Sequence, residues 1–268
     1  MKRSTSLLLL LVFCVLPLIS STEGGAATLQ EVKQRGKLIA GVKTDFPPLE
    51  FLDGKGVLKG FNIDIAGALA KDFFGSEKAI EFVRVTPENQ IVFLTSGKVD
   101  AIVAMGVTGE REKKIDFSTP YFISGQCILV RGNSQITKYQ DLAGKQVATL
   151  PGSMGDSAIA ELVPTAQRIR FERPSEAVNA VTSRRVEAYV GDFISLYNLA
   201  NRTRGVRIAS LEPFSPAPFS VAVNEGNKEL LDAINAALEK MKKTGEYENL
   251  LKKWFGAQAT VLWRLFQK

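Results

Sequence analysis

Short apolar runs and helical stripes take turns along most of this chain. A capping-box start at Thr28 to Glu31, closed by Gly36, leads into Lys37–Val42, which reads as a buried strand. An extended stretch around Leu49–Leu52 and a turn at Asp53–Gly56 follow. In Phe61–Phe74 the apolar residues Ile63, Ile65, Leu69 and Phe73 then recur close to helical spacing, up to Gly75. The alternation repeats from there. Strand Ala79–Val85 is expected before helix Glu88–Ser96, strand Asp100–Met105 before a short helix from Thr108, and strand Gln146–Leu150 before helix Ser153–Leu162. Helix Ser175–Ser183, strand Ala188–Val190, a helix from Asp192 and a C-terminal helix over Lys228–Lys243 continue the series. Strands and helices alternating at this density predict an α/β fold with helices layered on mostly parallel sheets.

Two stretches break the alternation. Tyr121–Val130 is extended and apolar, and Glu212–Val223 carries Pro213, Pro216 and Pro218, which oppose helix and favour an extended strap. Laid side by side, the two straps would join two α/β lobes. Residues 28–124 and 214–268 would form a discontinuous first lobe, and residues 125–213 a second. Two straps make a hinge, and ligands of such sheets bind at the carboxyl ends of the strands.

The N-terminus has a different character. Lys2 and Arg3 precede a greasy run from Leu7 to Ile19, and a small, polar stretch follows from Ser20 to Ala27. This is the pattern of a cleaved secretory signal peptide over residues 1–27, and it places the mature protein outside the cytoplasm. The run is too short and too interrupted for a membrane span. Cys14 lies in the middle of it, behind Phe13, which does not suit a lipidation site. Its loss with the leader leaves Cys127 alone, so no intramolecular disulfide is expected.

Composition narrows the chemistry further. The chain of 268 residues is long enough for sizeable cores without covalent staples. Its net charge of +6 falls by one when Lys2, Arg3 and Glu23 leave, and the charges of both signs are mixed. No basic block is interleaved with aromatics, so nucleic acid is not an expected partner. The chain contains no histidine, which excludes histidine triads, histidine proton shuttles and histidine metal sites. With one mature cysteine, thiolate metal clusters go too, and no metal or cofactor is expected.

The segment Val99–Tyr121 carries the sharpest functional signal. Arg111 follows a strand and a tight, small-residue turn that leaves backbone N–H groups unpaired. A guidinium fork delivered there suits the bidentate grip of a small carboxylate. The bland alternative is a solvated arginine at the start of a surface helix.

Taken together, GKLIAGVKTDFPPLEF, the GFNIDIAGALA helix, VDAIVAMGVTGEREKKIDFSTPY, DLAGKQVATLPGS, VEAYVGD and a last helix ending in KKWFG resemble the extracytoplasmic solute-binding proteins of the polar amino acid class. These are the receptors of ABC importers, and the segments occur in the family's order over nearly all of the mature chain. The resemblance implies a two-lobe periplasmic-binding-protein fold, type II-like, with each lobe a mostly parallel sheet flanked by helices. It also implies a monomer that closes over a free amino acid in the periplasm and delivers it to a permease in the inner membrane. Residue by residue, it implies that Arg111 holds the α-carboxylate and that the backbone N–H of Met154 adds to that grip from the turn Gly152 to Gly155. A helix N-terminus is suited to such a task. Ser153 would cap that helix, Asp192 would receive the α-ammonium, and Phe46 would pack over the ligand's side chain.

The departures from the family pattern are as informative. Gly106 and Ala104 stand where relatives often carry hydroxyls, so fewer side-chain hydrogen bonds to the amino-acid head group are expected, with water as a substitute. Lys43 resembles the cation of the aspartate- and glutamate-binding branch, but Gln90 stands where that branch usually supplies an arginine. One cation with one amide favours glutamate, aspartate, glutamine or asparagine over a cationic ligand. A second reading is an enzyme resembling cyclohexadienyl dehydratases on the same scaffold, with Asp156 as the candidate acid. A third is a ligand-sensing receptor domain.

Overall fold

The computed structural model describes residues 26–256. The expected signal peptide therefore falls almost wholly outside the described residues, as does the tail Ala257–Lys268. The first part of the chain runs α1 (Leu29–Arg35), β1 (Leu38–Val42), β2 (Asp45–Phe46), β3 (Glu50–Leu52), β4 (Leu58–Lys59), α2 (Phe61–Phe74), β5 (Ile80–Arg84), α3 (Gln90–Thr95), β6 (Ala101–Gly106), α4 (Gly109–Glu112) and β7 (Ile115–Phe117). Next come β8 (Phe122–Arg131), a 3₁₀ turn (Tyr139–Leu142), β9 (Gln146–Thr149), α5 (Met154–Leu162), β10 (Gln167–Arg170), α6 (Pro174–Thr182), β11 (Ala188–Asp192), α7 (Phe193–Arg202) and β12 (Val206–Ile208). The chain then returns through β13 (Phe214–Asn224), α8 (Lys228–Lys243) and α9 (Glu246–Phe255).

The expected α/β architecture is present, but the sheet is more mixed than the apolar runs suggested. One hydrogen-bonded path runs β10-β9-β11-β8-β13-β6-β1-β5, with β12 added to β8 and β7 to β13. Within each lobe three strands are parallel: β5, β1 and β6 in the first, and β10, β9 and β11 in the second. Between them lie the straps β8 and β13, antiparallel to each other and to the lobe strands they join. The reason is the connectivity itself. A chain that leaves a lobe by one strap must come back by the other, so the two run in opposite directions.

The two straps pair with each other. Phe214 pairs with Gln126, Pro216 with Gly125 and Pro218 with Ile123, and the register slips between Phe214 and Pro216. Pro216 and Pro218 have no N–H to give to the ladder, so pairing is thin at the crossing. Helices cover both faces of each half. On one face of the first lobe Phe61, Ile65 and Leu69 of α2 pack with Leu230, Ile234 and Leu238 of α8 and Tyr247 and Leu251 of α9. Leu94 of α3 packs with Ile102 and Met105 on the other face. In the second lobe Val178 of α6 and Leu196 of α7 cover one face, and Ile159 of α5 covers the other.

Candidate functional site

Between the two halves lies a cavity of about 80 Å³. Lys43, Phe46, Gln90, Ala104, Gly106 and Arg111 line it from the first lobe, and Ser153, Met154 and Asp192 from the second. Every residue singled out for the amino acid site is therefore brought to one place. The wall also contains residues that sequence reading passed over, among them Glu50, Gln126, Tyr189 and Phe219.

Arg111 is placed by the helical turn α4. The Thr108 side chain caps that turn by accepting from the Arg111 N–H, and the guanidinium swings back toward the end of β6. It donates to the Gly106 carbonyl at 2.7 Å and, across the cleft, to the Gly152 carbonyl at 2.9 Å. Its enclosure pulls the guanidinium pKa below the usual value, which is the electrostatic signature of a cation lacking a nearby counter-charge. No ion pair joins it to an acid among the described residues.

The end of β6 has an unusual backbone. Two residues of β6 stand against one of β13 between Ser220 and Ala222, a β-bulge, and Ala104 sits within it at φ +60°. A non-glycine residue there is strained, and bulges re-aim groups at functional sites. The aimed group here is the Ala104 carbonyl, which accepts from the Lys43 ammonium at 3.3 Å. Gly106 follows. A Cβ built on it would come within 2.0 Å of the Met154 sulfur, so the thioether of the second lobe occupies the space a side chain would need.

From the second lobe, α5 points its N-terminus at the same cavity. The Ser153 hydroxyl accepts from the Asp156 N–H at 3.2 Å, and the Ser153 carbonyl takes the Ser157 N–H. Asp192 ends β11 and caps α7, where its Oδ1 accepts from the Ser195 N–H at 3.0 Å. Its Oδ2 is sealed from solvent and takes no hydrogen bond among the described residues. Burial pushes the Asp192 carboxyl above its usual range. The Ser124 hydroxyl and the Ser195 N–H and hydroxyl pull the other way, although neither hydroxyl completes a hydrogen bond.

Lys43 is not the free cation that the sequence suggested. Its ammonium lies 2.8 Å from Glu50 Oε1, with the two side chains only 12% and 1% exposed. The ammonium also stands 5.9 Å from the centre of the Phe46 ring, which packs toward the second lobe's core. Glu50 was missed because it reads as one more strand residue. The signal was there, as a lone acid between Leu49 and Phe51, and the β2–β3 hairpin pairs it with Phe46. Burial drives its carboxyl above the usual range against the pull of Lys43. Glu50 Oε2 has no hydrogen-bond partner among the described residues, and neither has Gln90 Oε1, while the Gln90 amide nitrogen donates to the Pro87 carbonyl at 2.9 Å.

Two further observations bear on function. Asp45, just outside the cavity wall, accepts from the Ser175 hydroxyl at 2.7 Å and so reaches from the first lobe to the N-terminus of α6 in the second. Asp156, the candidate acid of the enzyme reading, is absent from the cavity wall. Its carboxylate accepts from Thr149 at 2.8 Å and faces Arg168 at 3.1 Å and Arg170 at 3.5 Å. A carboxylate held this way anchors the start of α5.

Residues 38–257 match the family described as bacterial extracellular solute-binding proteins, family 3. A glutamine-binding protein of an ABC transporter from Bacillus subtilis (strain 168) is 37% identical over 267 residues, which span 95% of this chain and 97% of that protein. The L-cystine-binding protein of Escherichia coli (strain K12) is 32% identical over 235 residues, 87% of each. Among solved structures, an ancestral arginine-binding protein bound to glutamine superposes with a TM-score of 0.78 at 40% identity, covering 82% of this chain and 98% of that one.

Proposed function

We propose, for a chain that belongs to the bacterial extracellular solute-binding proteins of family 3, that it captures a polar amino acid in the cavity between its lobes and presents it to the permease of an ABC importer. The observation that carries this reading is the meeting of Arg111 and Asp192 in one cavity, one from each lobe, with no ion pair between them. An amino acid is a zwitterion, and it can answer both charges at once. Its carboxylate takes the unused guanidinium donors of Arg111 together with the backbone N–H groups at the start of α5. Its ammonium donates to Asp192 Oδ2, which otherwise stays unsatisfied. Phe46 and the Met154 thioether close over the rest of the ligand.

This division of labour also gives a mechanism. Arg111 and Asp192 belong to opposite lobes, so a ligand bridging them stabilises the closed form more than the open one, and binding shifts the population toward closure. The closed surface is what a permease then recognises. The chain works outside the cytoplasm, in the periplasm, as a monomer after removal of residues 1–27. Its hinge lies at the 124/125 and 213/214 boundaries, where the straps cross. The enzyme reading loses its support with Asp156 in ion pairs away from the cavity. Calorimetric titration of the mature chain with the twenty amino acids tests the proposal. One or a few polar amino acids should bind, and binding by none of them would overturn it.

A further inference from the structure

We propose that Glu50 is a specificity-determining residue of this cavity: by pairing with Lys43 it turns the wall facing the ligand's side chain neutral and rich in acceptors, so that the protein selects a carboxamide side chain and rejects an acidic one. The proposal rests on the reading of the cavity as an amino acid site.

The charges in the wall decide the sign. Arg111 and Asp192 are the two charges a zwitterionic head group answers. Lys43 and Glu50 are the other two, and they answer each other at 2.8 Å. With all four in place the cavity has no net charge left to attract an ionic side chain. A glutamate or aspartate would add an uncompensated negative charge beside the buried carboxylates of Glu50 and Asp192, which costs several-fold more than it would in water. An arginine or lysine would add a positive charge beside Lys43.

The unsatisfied atoms decide the chemistry. Glu50 Oε2 and Gln90 Oε1 are buried acceptors without partners among the described residues, and both side chains line the cavity. A buried acceptor left unpaired is costly, so a ligand that supplies N–H groups gains what the protein lacks alone. The Lys43 ammonium has one of its donors on Glu50 and another on the Ala104 carbonyl, which leaves one for an acceptor on the ligand. Two acceptors and one donor on the wall match a group with two N–H donors and one carbonyl. That group is a carboxamide. Sites built around such hydrogen bonds discriminate strongly against analogues that leave them unmade.

The test is calorimetric titration of the whole mature chain with L-glutamine, L-glutamate and L-arginine, for the wild type and for Glu50→Gln and Lys43→Met. The wild type should bind glutamine about 100-fold more tightly than glutamate. Glu50→Gln uncovers the Lys43 charge and should shrink or reverse that ratio by at least about tenfold, through a gain for glutamate. Lys43→Met uncovers Glu50 and should raise arginine relative to glutamine by a similar factor, so the proposal stays testable even if one variant fails to fold. A Glu50→Gln protein that binds glutamine with an unchanged ratio overturns the proposal, as does a wild type that prefers glutamate. If the wild type binds no amino acid, the underlying reading of the cavity fails first. If it binds amino acids while the ratios stay fixed, only the role of Glu50 fails.

Discussion

The cavity holds two pairs of opposite charges in two different ways. Arg111 and Asp192 come from opposite lobes and form no ion pair, with the guanidinium on backbone carbonyls and one carboxylate oxygen sealed and without a partner among the described residues. Lys43 and Glu50 come from the same lobe and are in contact at 2.8 Å. Each arrangement has a cost that reveals its use. Separated buried charges are expensive until something bridges them, so such a pair behaves as a receptor for a zwitterion. Charges already in contact have nothing left to gain from an ion, so such a pair sets what the cavity refuses. In the proposed function the first pair governs whether an amino acid is held, and the second governs which one.

Arg111→Ala gives the largest expected effect on this comparison. It removes the only guanidinium that the described residues place in the wall and leaves a ligand carboxylate facing backbone alone, so amino acid affinity should fall by about 10²–10³-fold. The fold should survive, because α4 is a single exposed turn that contributes no buried residue. Binding should be read by calorimetry and stability by thermal melting of the same sample. Persistent binding would break the idea that the separated pair is the head-group site.

Asp192→Asn comes next. Asparagine caps a helix about as well as aspartate, so α7 should remain intact, while the negative charge for the ammonium is lost. A hydrogen bond between charged groups is worth roughly 1.5–3 kcal/mol, so affinity should drop about 10- to 100-fold. The pH profile gives a second readout. Burial raises the Asp192 carboxyl, and a bound ammonium would lower it again, so ligand binding expels a proton at low pH. Wild-type affinity should therefore be flat near neutrality and weaken as pH falls through the raised carboxyl range. Glu50 is raised by burial as well and titrates in both proteins, so the difference between the two profiles isolates Asp192. Stability runs the other way. A carboxyl raised on folding costs stability above its folded pKa, so Asp192→Asn should melt no lower than wild type near neutral pH.

Much of this was legible in the sequence, and what was not has a physical reason. The apolar runs of β1 and β6 and the stripe of α2 are buried on all sides or along one face, so their periodicity was plain. Strand β10 reads Gln167-Arg-Ile-Arg170, three of its four residues polar, because it is an edge strand with one paired neighbour, and sequence reading misses it. The antiparallel course of the straps is a property of connectivity that no local pattern records. In the cavity, the chemistry of its side chain pointed to Arg111, and the family resemblance pointed to Met154 and Asp192. The bulge at Ala104 leaves no mark in the sequence, because alanine is not a residue that favours a positive φ. The Lys43–Glu50 contact depends on how the β2–β3 hairpin folds back, so the lysine was visible and its partner was not.

Gly106→Ala tests the packing between the lobes. The added methyl would meet the Met154 sulfur at 2.0 Å with the lobes together, and the clash should vanish once they part. Overpacking of this kind costs about 1–3 kcal/mol, and the thioether can swing aside, so a loss of about tenfold in affinity is expected. Combining it with Met154→Ala should recover part of that loss, which a double-mutant cycle reads as coupling between two residues on opposite lobes. Additive losses would mean that the two do not meet in the ligand-bound form.

Asp45→Ala should have the smallest effect and the cleanest pattern. Asp45 lies outside the cavity wall, so it has no means of distinguishing one ligand side chain from another. Its carboxylate accepts from the Ser175 hydroxyl at 2.7 Å and from the Ser175 N–H at 3.5 Å, at the start of a helix whose own N-cap, Arg173, supplies no side-chain cap. The first lobe thus caps a helix of the second, and that contact exists only while the lobes are together. Caps of this type are worth about 1 kcal/mol, so removing one should weaken every ligand by about fivefold and by the same factor. Ser175→Ala should reproduce the loss, and the double variant should lose little more, because both changes delete one interaction. Glu50→Gln is the contrast, since it is expected to change the ratio between ligands. A ligand-dependent effect of Asp45→Ala would place this residue with the charges that select, and a uniform one places it with the contacts that close.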